Sequence, residues 1–211
     1  MTVRFIVLTG GPGAGKTAVM EAARQIFANE VAILPEAASI VYSGGFPRNG
    51  TIPSVHAAQR AIASVQRELE QFTLDDRSAP VALCDRGIAD GAAYWPEGPL
   101  AFYASIGIPA VQVFARYSTV IHLRTPSLEL GYNNSNPMRT ESADEAIALD
   151  RRIERVWQGH PNRLVVPATE TFTEKLEHVT ALIRSELRWK SLPHRSLVTA
   201  SASTLGGNFL N

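Results

Sequence analysis

The chain has a single cysteine, Cys84, in 211 residues, so no internal disulfide forms. A reducing compartment suits such a chain. It lacks an excess of either charge, since 20 Lys and Arg balance 20 Asp and Glu. No global field therefore draws it to nucleic acid or to an anionic membrane. Long apolar runs are missing too, and none approaches the roughly 20 residues of a spanning helix. The 5 histidines are scattered and, with one cysteine, give no zinc-site spacing. What is present is a globular composition, 45% hydrophobic and 19% charged, with enough length for one α/β domain and a real core. The first apolar run begins at Arg4 and leaves no space for a signal peptide ahead of it. The expected location is the cytoplasm.

Five short runs read as central strands: Arg4–Thr9, Val31–Leu34, Val81–Cys84, Thr119–Leu123 and Arg163–Val166. A strand covered on both faces is continuously apolar rather than alternating. Helical patterns separate them. Val19, Ala22, Ala23 and Ile26 repeat at three- and four-residue steps. Ser54 is positioned to cap a long helix with Val55, Ala58, Ile62, Val65, Leu69 and Phe72 on one stripe. Ser142 with Glu145, and Thr171 with Glu174, form possible capping boxes before two more helices. Strands alternating with helices imply an α/β fold, a parallel sheet with helices on both faces. Its ligands belong beyond the carboxyl ends of the strands. Tyr42–Pro53 and Gly131–Arg139 are rich in Gly, Pro and Asn and read as loops at that end, of the kind that cover sites. Residues 1–190 are expected to form one domain, with 191–211 an aperiodic tail, either free or docked.

Gly10-Gly11-Pro12-Gly13-Ala14-Gly15-Lys16-Thr17 fits G-x-x-x-x-G-K-[ST] and lies between a strand and a helix. Glycines let successive N–H groups turn inward onto phosphate oxygens, and the following helix adds its positive end. The expected phosphate cradle is Gly10, Gly11, Gly13, Ala14, Gly15, Lys16, Thr17 and Ala18. Lys16 reaches the β- and γ-phosphates and the Thr17 hydroxyl binds Mg²⁺. The expected ligands are ATP, or GTP, with Mg²⁺.

Asp85 closes the third strand, where a carboxylate holds Mg²⁺ directly or through water; the plainer alternative is a cap or a surface Asp. Glu36 follows the second strand and suits a group that orients an acceptor hydroxyl and takes its proton. Its alternative is a cap for the next helix. Arg86 offers a planar fork to phosphate or substrate, or an ion pair with Asp85 or Asp90. Arg124, at the end of the fourth strand, and Arg139, in the second loop, are candidates to neutralise a transferred phosphoryl group. Both could equally be solvated. His122, inside a strand, reads as a satisfied core histidine rather than a ligand.

These stretches together resemble the kinase-like branch of P-loop NTPases, in particular the small ATPase and kinase domains grouped with the bacterial ribosylnicotinamide kinase domain. The resemblance rests on TGGPGAGKT (9–17), LPEAA (34–38), GGFPR (44–48), QRAIASVQRELE (59–70), CDRGIADGAAYWP (84–96), RYSTVIHLRTP (116–126), GYNNSNPMRTES (131–142) and WQGHPNRLVV (157–166). It implies a single-domain three-layer fold with a five-stranded parallel sheet, ATP–Mg²⁺ binding, and a lid segment between the fourth and fifth strands. It also implies a substrate pocket near Glu36, Arg86 and Asp90. GGFPR and the 59–70 helix depart from the ribosylnicotinamide kinases themselves, so their acceptor is not carried over.

The leading expectation is a small-molecule kinase with a hydroxyl or phosphate acceptor, a nucleoside-like compound among the candidates. Lys16, Glu36, Asp85, Arg86 and Arg139 would carry the chemistry, with Glu36, Arg86, Asp90 and Arg124 binding the acceptor and Thr17 and Asp85 the metal. The alternatives are a nucleotide-dependent switch acting on a protein partner and a hydrolase of nucleotide or organic triphosphates. An Asn-Lys-x-Asp element, usual in guanine-specific switches, is absent. Oligomeric state is open.

Overall fold

The runs at 5–8 and 81–84 are uninterrupted and apolar because both faces are packed, whereas Leu164 and Val165 at the sheet's edge are exposed. A computed structural model describes residues 3–126, 142–168 and 171–189. In chain order, strand β1 (Arg4–Thr9) leads into α1 (Lys16–Phe27), β2 (Val31–Leu34), α2 (Ala37–Ser43) and α3 (Ile52–Asp76). Then come β3 (Val81–Asp85), α4 (Pro99–Ile106), α5 (Ala110–Ala115), β4 (Tyr117–Leu123), α6 (Ala143–Val156), β5 (Arg163–Val166) and α7 (Phe172–Trp189). The sheet has five strands in the order β2-β3-β1-β4-β5, all parallel. Its central strand is β1, and Leu8 is in register with Asp85 on one side while Thr9 is in register with His122 on the other.

Alternation along β1 divides the core. Phe5 and Val7 pack with Ala82, Cys84, Phe102, Ile153 and Trp157. Ile6 and Leu8 pack with Val19, Ala23, Leu83, Val179 and Ile183. One face is thus covered by α1 and α7, the other by α3, α4, α5 and α6. This is the three-layer α/β architecture expected from the alternation of strands and helices. All five expected strands are present, with β3 running one residue further, to Asp85, and β4 starting at Tyr117.

The departures have physical causes. Helix α3 begins earlier than Ser54, because Thr51 is its N-cap and accepts from the Ser54 N–H while Pro53 occupies the first turn. The Ser54 hydroxyl donates instead to the Pro47 carbonyl at 2.9 Å. The buried stripe of α3 is Ala58, Gln59, Ala63, Gln66, Glu70 and Thr73, whereas Phe72 is 68% exposed. That stripe is polar because Glu70, fully buried, accepts from the Tyr117 hydroxyl at 2.7 Å, Arg116 Nε at 2.6 Å and Gln66 Nε2 at 3.1 Å. On α1, Met20 and Phe27 are buried and Ile26 is turned out, at 45% exposure. Ser142 and Glu145 form the expected reciprocal cap of α6, and Thr171 accepts from the Glu174 N–H at 3.4 Å. The expected loop at Gly131–Arg139, with Arg139 itself, and the expected tail 191–211 lie outside the described residues. No described helix is long and apolar enough to cross a membrane.

Candidate functional site

The turn from β1 into α1 is possible only with glycine at its bends. Gly10 has φ +138°, and a Cβ there would stand 2.1 Å from the Leu123 carbonyl oxygen. Gly13 and Gly15 also have positive φ, 76° and 92°. The turn encloses a pocket of about 180 Å³ lined by Gly13, Ala14, Gly15, Lys16, Thr17 and Ala18, at the N-terminal end of α1. Gly10 and Gly11 stand behind that lining. Their carbonyl oxygens accept from Lys16 Nζ at 3.0 and 3.1 Å, which folds the lysine over the loop. The Gly11 N–H is taken by Asp150 Oδ1 at 2.7 Å.

The loop is pinned from outside by residues that no sequence motif marked. Asp150 on α6 holds Gly11, and Thr125 Oγ1 donates to the Pro12 carbonyl at 3.1 Å. Lys175 on α7, 6% exposed, donates from Nζ to the carbonyls of Ala14 at 3.0 Å and Arg124 at 3.1 Å. Asp150 and Thr125 also explain Gly11, where a Cβ would meet Thr125 Oγ1 at 2.5 Å and Asp150 Cβ at 2.8 Å. His122 is fully buried with Nε2 3.1 Å from Asp150 Oδ1, and among the described residues neither ring nitrogen has a hydrogen-bond partner, against the expectation of a satisfied core histidine. Burial pushes the Asp150 carboxyl up, but His122 and the Gly11 and Thr125 N–H groups outweigh it and hold it below the ordinary aspartate range.

Lys16, Glu36, Asp85, Arg86 and Asp90 converge above the carboxyl ends of β1, β2 and β3. Burial, helped by the Arg86 charge, lowers Lys16 to about 8, against the pull of Asp85, Glu36 and Asp90. Asp85 is raised, mainly by burial and further by Glu36 and Asp90, with Lys16 and Arg86 opposing. Its Oδ1 is buried without a hydrogen-bond partner among the described residues. Glu36 sits at the N-cap position of α2 but its side chain does not cap the helix. It accepts from Arg86 Nε at 2.8 Å and from the Ser39 hydroxyl. Burial raises its pKa, but Arg86 and the Ser39 bond reverse the shift and keep it ionised.

Arg86 adopts a left-handed backbone, φ 72°, an uncommon conformation for a residue with a Cβ. Its N–H extends the sheet ladder to the Leu8 carbonyl at 3.0 Å, and its guanidinium spans Glu36 and Asp90 Oδ1, the latter at 3.2 Å. Of the two ion pairs open to it from sequence, it makes the one with Asp90. Asp90 is 3% exposed and its oxygens also accept from the Thr9 hydroxyl, the Gly87 N–H at 3.0 Å and Trp157 Nε1 at 3.0 Å. It ties the end of β1 to α6 while lining the neighbouring cavity. Arg124 points elsewhere: its guanidinium donates to Glu154 Oε1 at 2.9 Å, and it lines neither that cavity nor the loop pocket.

That second cavity, of about 790 Å³, runs from Pro12, Glu36 and Arg86 out between α2, the 44–51 loop and α3. A divalent cation fits the phosphate end on the donors present. Asp85 Oδ1 is a buried oxygen without a partner among the described residues, and Thr17 is exposed. No described group of three or more His, Cys, Asp or Glu could hold an ion alone. Few carboxylates combined with phosphate oxygens and water is the donor set of Mg²⁺.

A family model described as an AAA domain matches residues 5–175. No curated protein matches the chain.

Proposed function

The chain belongs to the AAA domain family, a membership that brings nucleotide binding at a coarse level, and on that premise we propose that it is an ATP- and Mg²⁺-dependent phosphotransferase acting on a small molecule. The observation that carries this reading is the cavity of about 790 Å³ whose inner wall is Pro12, Glu36 and Arg86. It reaches the phosphate loop at Pro12 and the carboxylate cluster at Glu36. Water as sole acceptor needs no chamber of that size; a metabolite does.

In this reading Gly13 to Ala18 receive the phosphates and Lys16 stabilises charge as it spreads over the transferred group. Asp85 and Thr17 would hold the metal, which when bound would neutralise phosphate charge. Glu36, kept ionised and aimed by Arg86, orients the acceptor hydroxyl and takes its proton late, as a loose phosphoryl transition state requires little early proton removal. Arg86 and Asp90 fix the acceptor end, and Arg139 remains a candidate to meet transferred charge, whereas Arg124 is engaged by Glu154. The kinship with ribosylnicotinamide kinase domains, the lid and the cytoplasmic location belong to the same proposal, as does the choice of ATP over GTP.

The test is ADP release from ATP with and without a panel of nucleosides and vitamin-like alcohols. Strong dependence on one acceptor, with a phosphorylated product, supports a transferase. Complete hydrolysis indifferent to every acceptor replaces it with a triphosphate hydrolase.

A further inference from the structure

Gln59 is 7% exposed and lines the large cavity, yet among the described residues no hydrogen bond reaches its amide. Its amide atoms are not among the buried unpaired ones, so they face the open cavity, where a ligand's hydrogen bonds can replace those of water. Gln66, two turns along the same stripe of α3, shows the ordinary solution: it is 3% exposed and its Nε2 donates to Glu70 Oε1 at 3.1 Å. Gln59 has no such neighbour. Space for it has been left, since a Cβ on Gly91 would stand 3.1 Å from Gln59 Oε1 and 2.8 Å from Phe102 Cζ.

The surroundings say what would complete it. Tyr42, Phe46 and Tyr94 supply aromatic walls, and Ile62 an apolar one. The Arg48 guanidinium lies over the Tyr42 ring, 4.9 Å from its centroid. Aromatic and apolar walls favour a flat ring. A glutamine amide presents a donor and an acceptor side by side, the complement of a heterocycle edge that carries an adjacent acceptor and donor.

We propose that this cavity is the acceptor subsite for a hydroxyl-bearing planar heterocycle of the nucleobase class, with Gln59 pairing to its donor–acceptor edge. The proposal rests on the transferase reading for its chemistry, but not for the binding itself. The flat ring sits at Gln59 and the hydroxyl faces Glu36 and Arg86 at the other end of the same chamber.

The experiment is calorimetric binding of adenosine, cytidine, uridine and inosine, with purine riboside, which lacks the ring-edge donor, and D-ribose as controls. At least one of the four binds more tightly than both controls, and Gln59→Leu lowers that affinity roughly ten- to a hundredfold, the span of a bidentate edge contact. The melting temperature of Gln59→Leu stays about level, because no hydrogen bond to a described residue is lost and the side chains are of similar size. Gln59→Glu, which keeps the shape and loses the donor, weakens binding similarly and covers the case in which the leucine variant fails to fold. Equal affinity in both variants, or no probe binding better than D-ribose, overturns the subsite. Gln59-dependent binding without phosphoryl transfer keeps the subsite and defeats the transferase reading. Transfer to an acceptor indifferent to Gln59 does the reverse.

Discussion

The two ends of the candidate site are built on different terms. Around the phosphate loop the protein supplies partners for its own backbone: Asp150 for Gly11, Thr125 for Pro12, Lys175 for Ala14, and the Gly10 and Gly11 carbonyls for Lys16. Around the large cavity most polar groups are likewise paired within the protein, Glu36, Arg86, Asp90 and Ser54 among them, but one is left over. Gln59 is buried without a described partner, and the 44–51 loop turns on Gly45 and Gly50, with φ of 88° and 74° and nothing within 4 Å of either Cβ position. A tightly held loop suits a phosphate donor that is the same in every turnover, since its geometry is set before the ligand arrives. A loop-walled chamber with an amide turned into it suits a ligand that takes up that amide. Only the inner wall, Glu36 with Arg86, belongs to both ends.

The sharpest way to break this contrast is at Lys16. Lys16→Ala should cut turnover roughly 10²–10³-fold, the scale for losing one preorganised charge-stabilising group, with the fold intact by circular dichroism. An unchanged rate would remove the donor role of the loop. Asp85→Asn comes next: turnover at limiting Mg²⁺ should fall at least roughly ten- to a hundredfold, the range for losing a carboxylate that supports a bound metal, and recover in part at high Mg²⁺. Full activity at ordinary Mg²⁺ would leave the orphaned Asp85 oxygen without a metal to explain it.

How much of this was legible in the sequence divides along the same line. The loop, the strands and the carboxylates at strand ends follow from local signals, since a motif of eight residues and short apolar runs each report on their own neighbourhood. The pinning contacts do not. Asp150 reaches Gly11 across 139 positions and Lys175 reaches Ala14 across 161, and on their own helices both read as members of a solvated face. Gln59 was hidden for a different reason: on an amphipathic stripe polar residues mark the outer face, whereas α3 buries Gln59, Gln66 and Glu70 inward. The stretch between β3 and β4, with its short helices α4 and α5, carries Gly87, Gly91, Gly98, Pro99, Gly107 and Pro109, which interrupt any period before it repeats.

The outer pins predict a smaller effect than the loop's own lysine. Lys175→Met keeps the length of the side chain and leaves the Ala14 and Arg124 carbonyls without their donor. Each unpaired buried acceptor costs about 1–3 kcal/mol, partly offset because a buried ammonium is no longer desolvated. Chemical denaturation should therefore show a loss of about 1–3 kcal/mol, with nucleotide affinity falling only a few-fold. Unaltered stability would mean that α7 does not hold the loop.

The mildest effect is one of pH. Lys16 is lowered to about 8 in the nucleotide-free chain, by burial first and by Arg86 second. Because the folded value lies below the model-peptide value of 10.5, this group burdens folding fully below about pH 8 and ceases to do so as pH rises to 10.5. Nucleotide reverses the sign. A polyphosphate against Nζ favours the ammonium form, so above about pH 8 binding takes up a proton that the free chain has already lost. Affinity should be level up to that point and then decline, approaching about tenfold per pH unit once Lys16 is fully neutral in the free chain. Calorimetric titrations in buffers of different ionisation heat would read the proton directly, and Lys16→Arg, which stays charged throughout, should flatten the profile. A wild-type affinity that stays level to about pH 10 would mean that the ammonium stays folded onto the Gly10 and Gly11 carbonyls when nucleotide binds, and that the backbone of the loop holds the phosphates unaided.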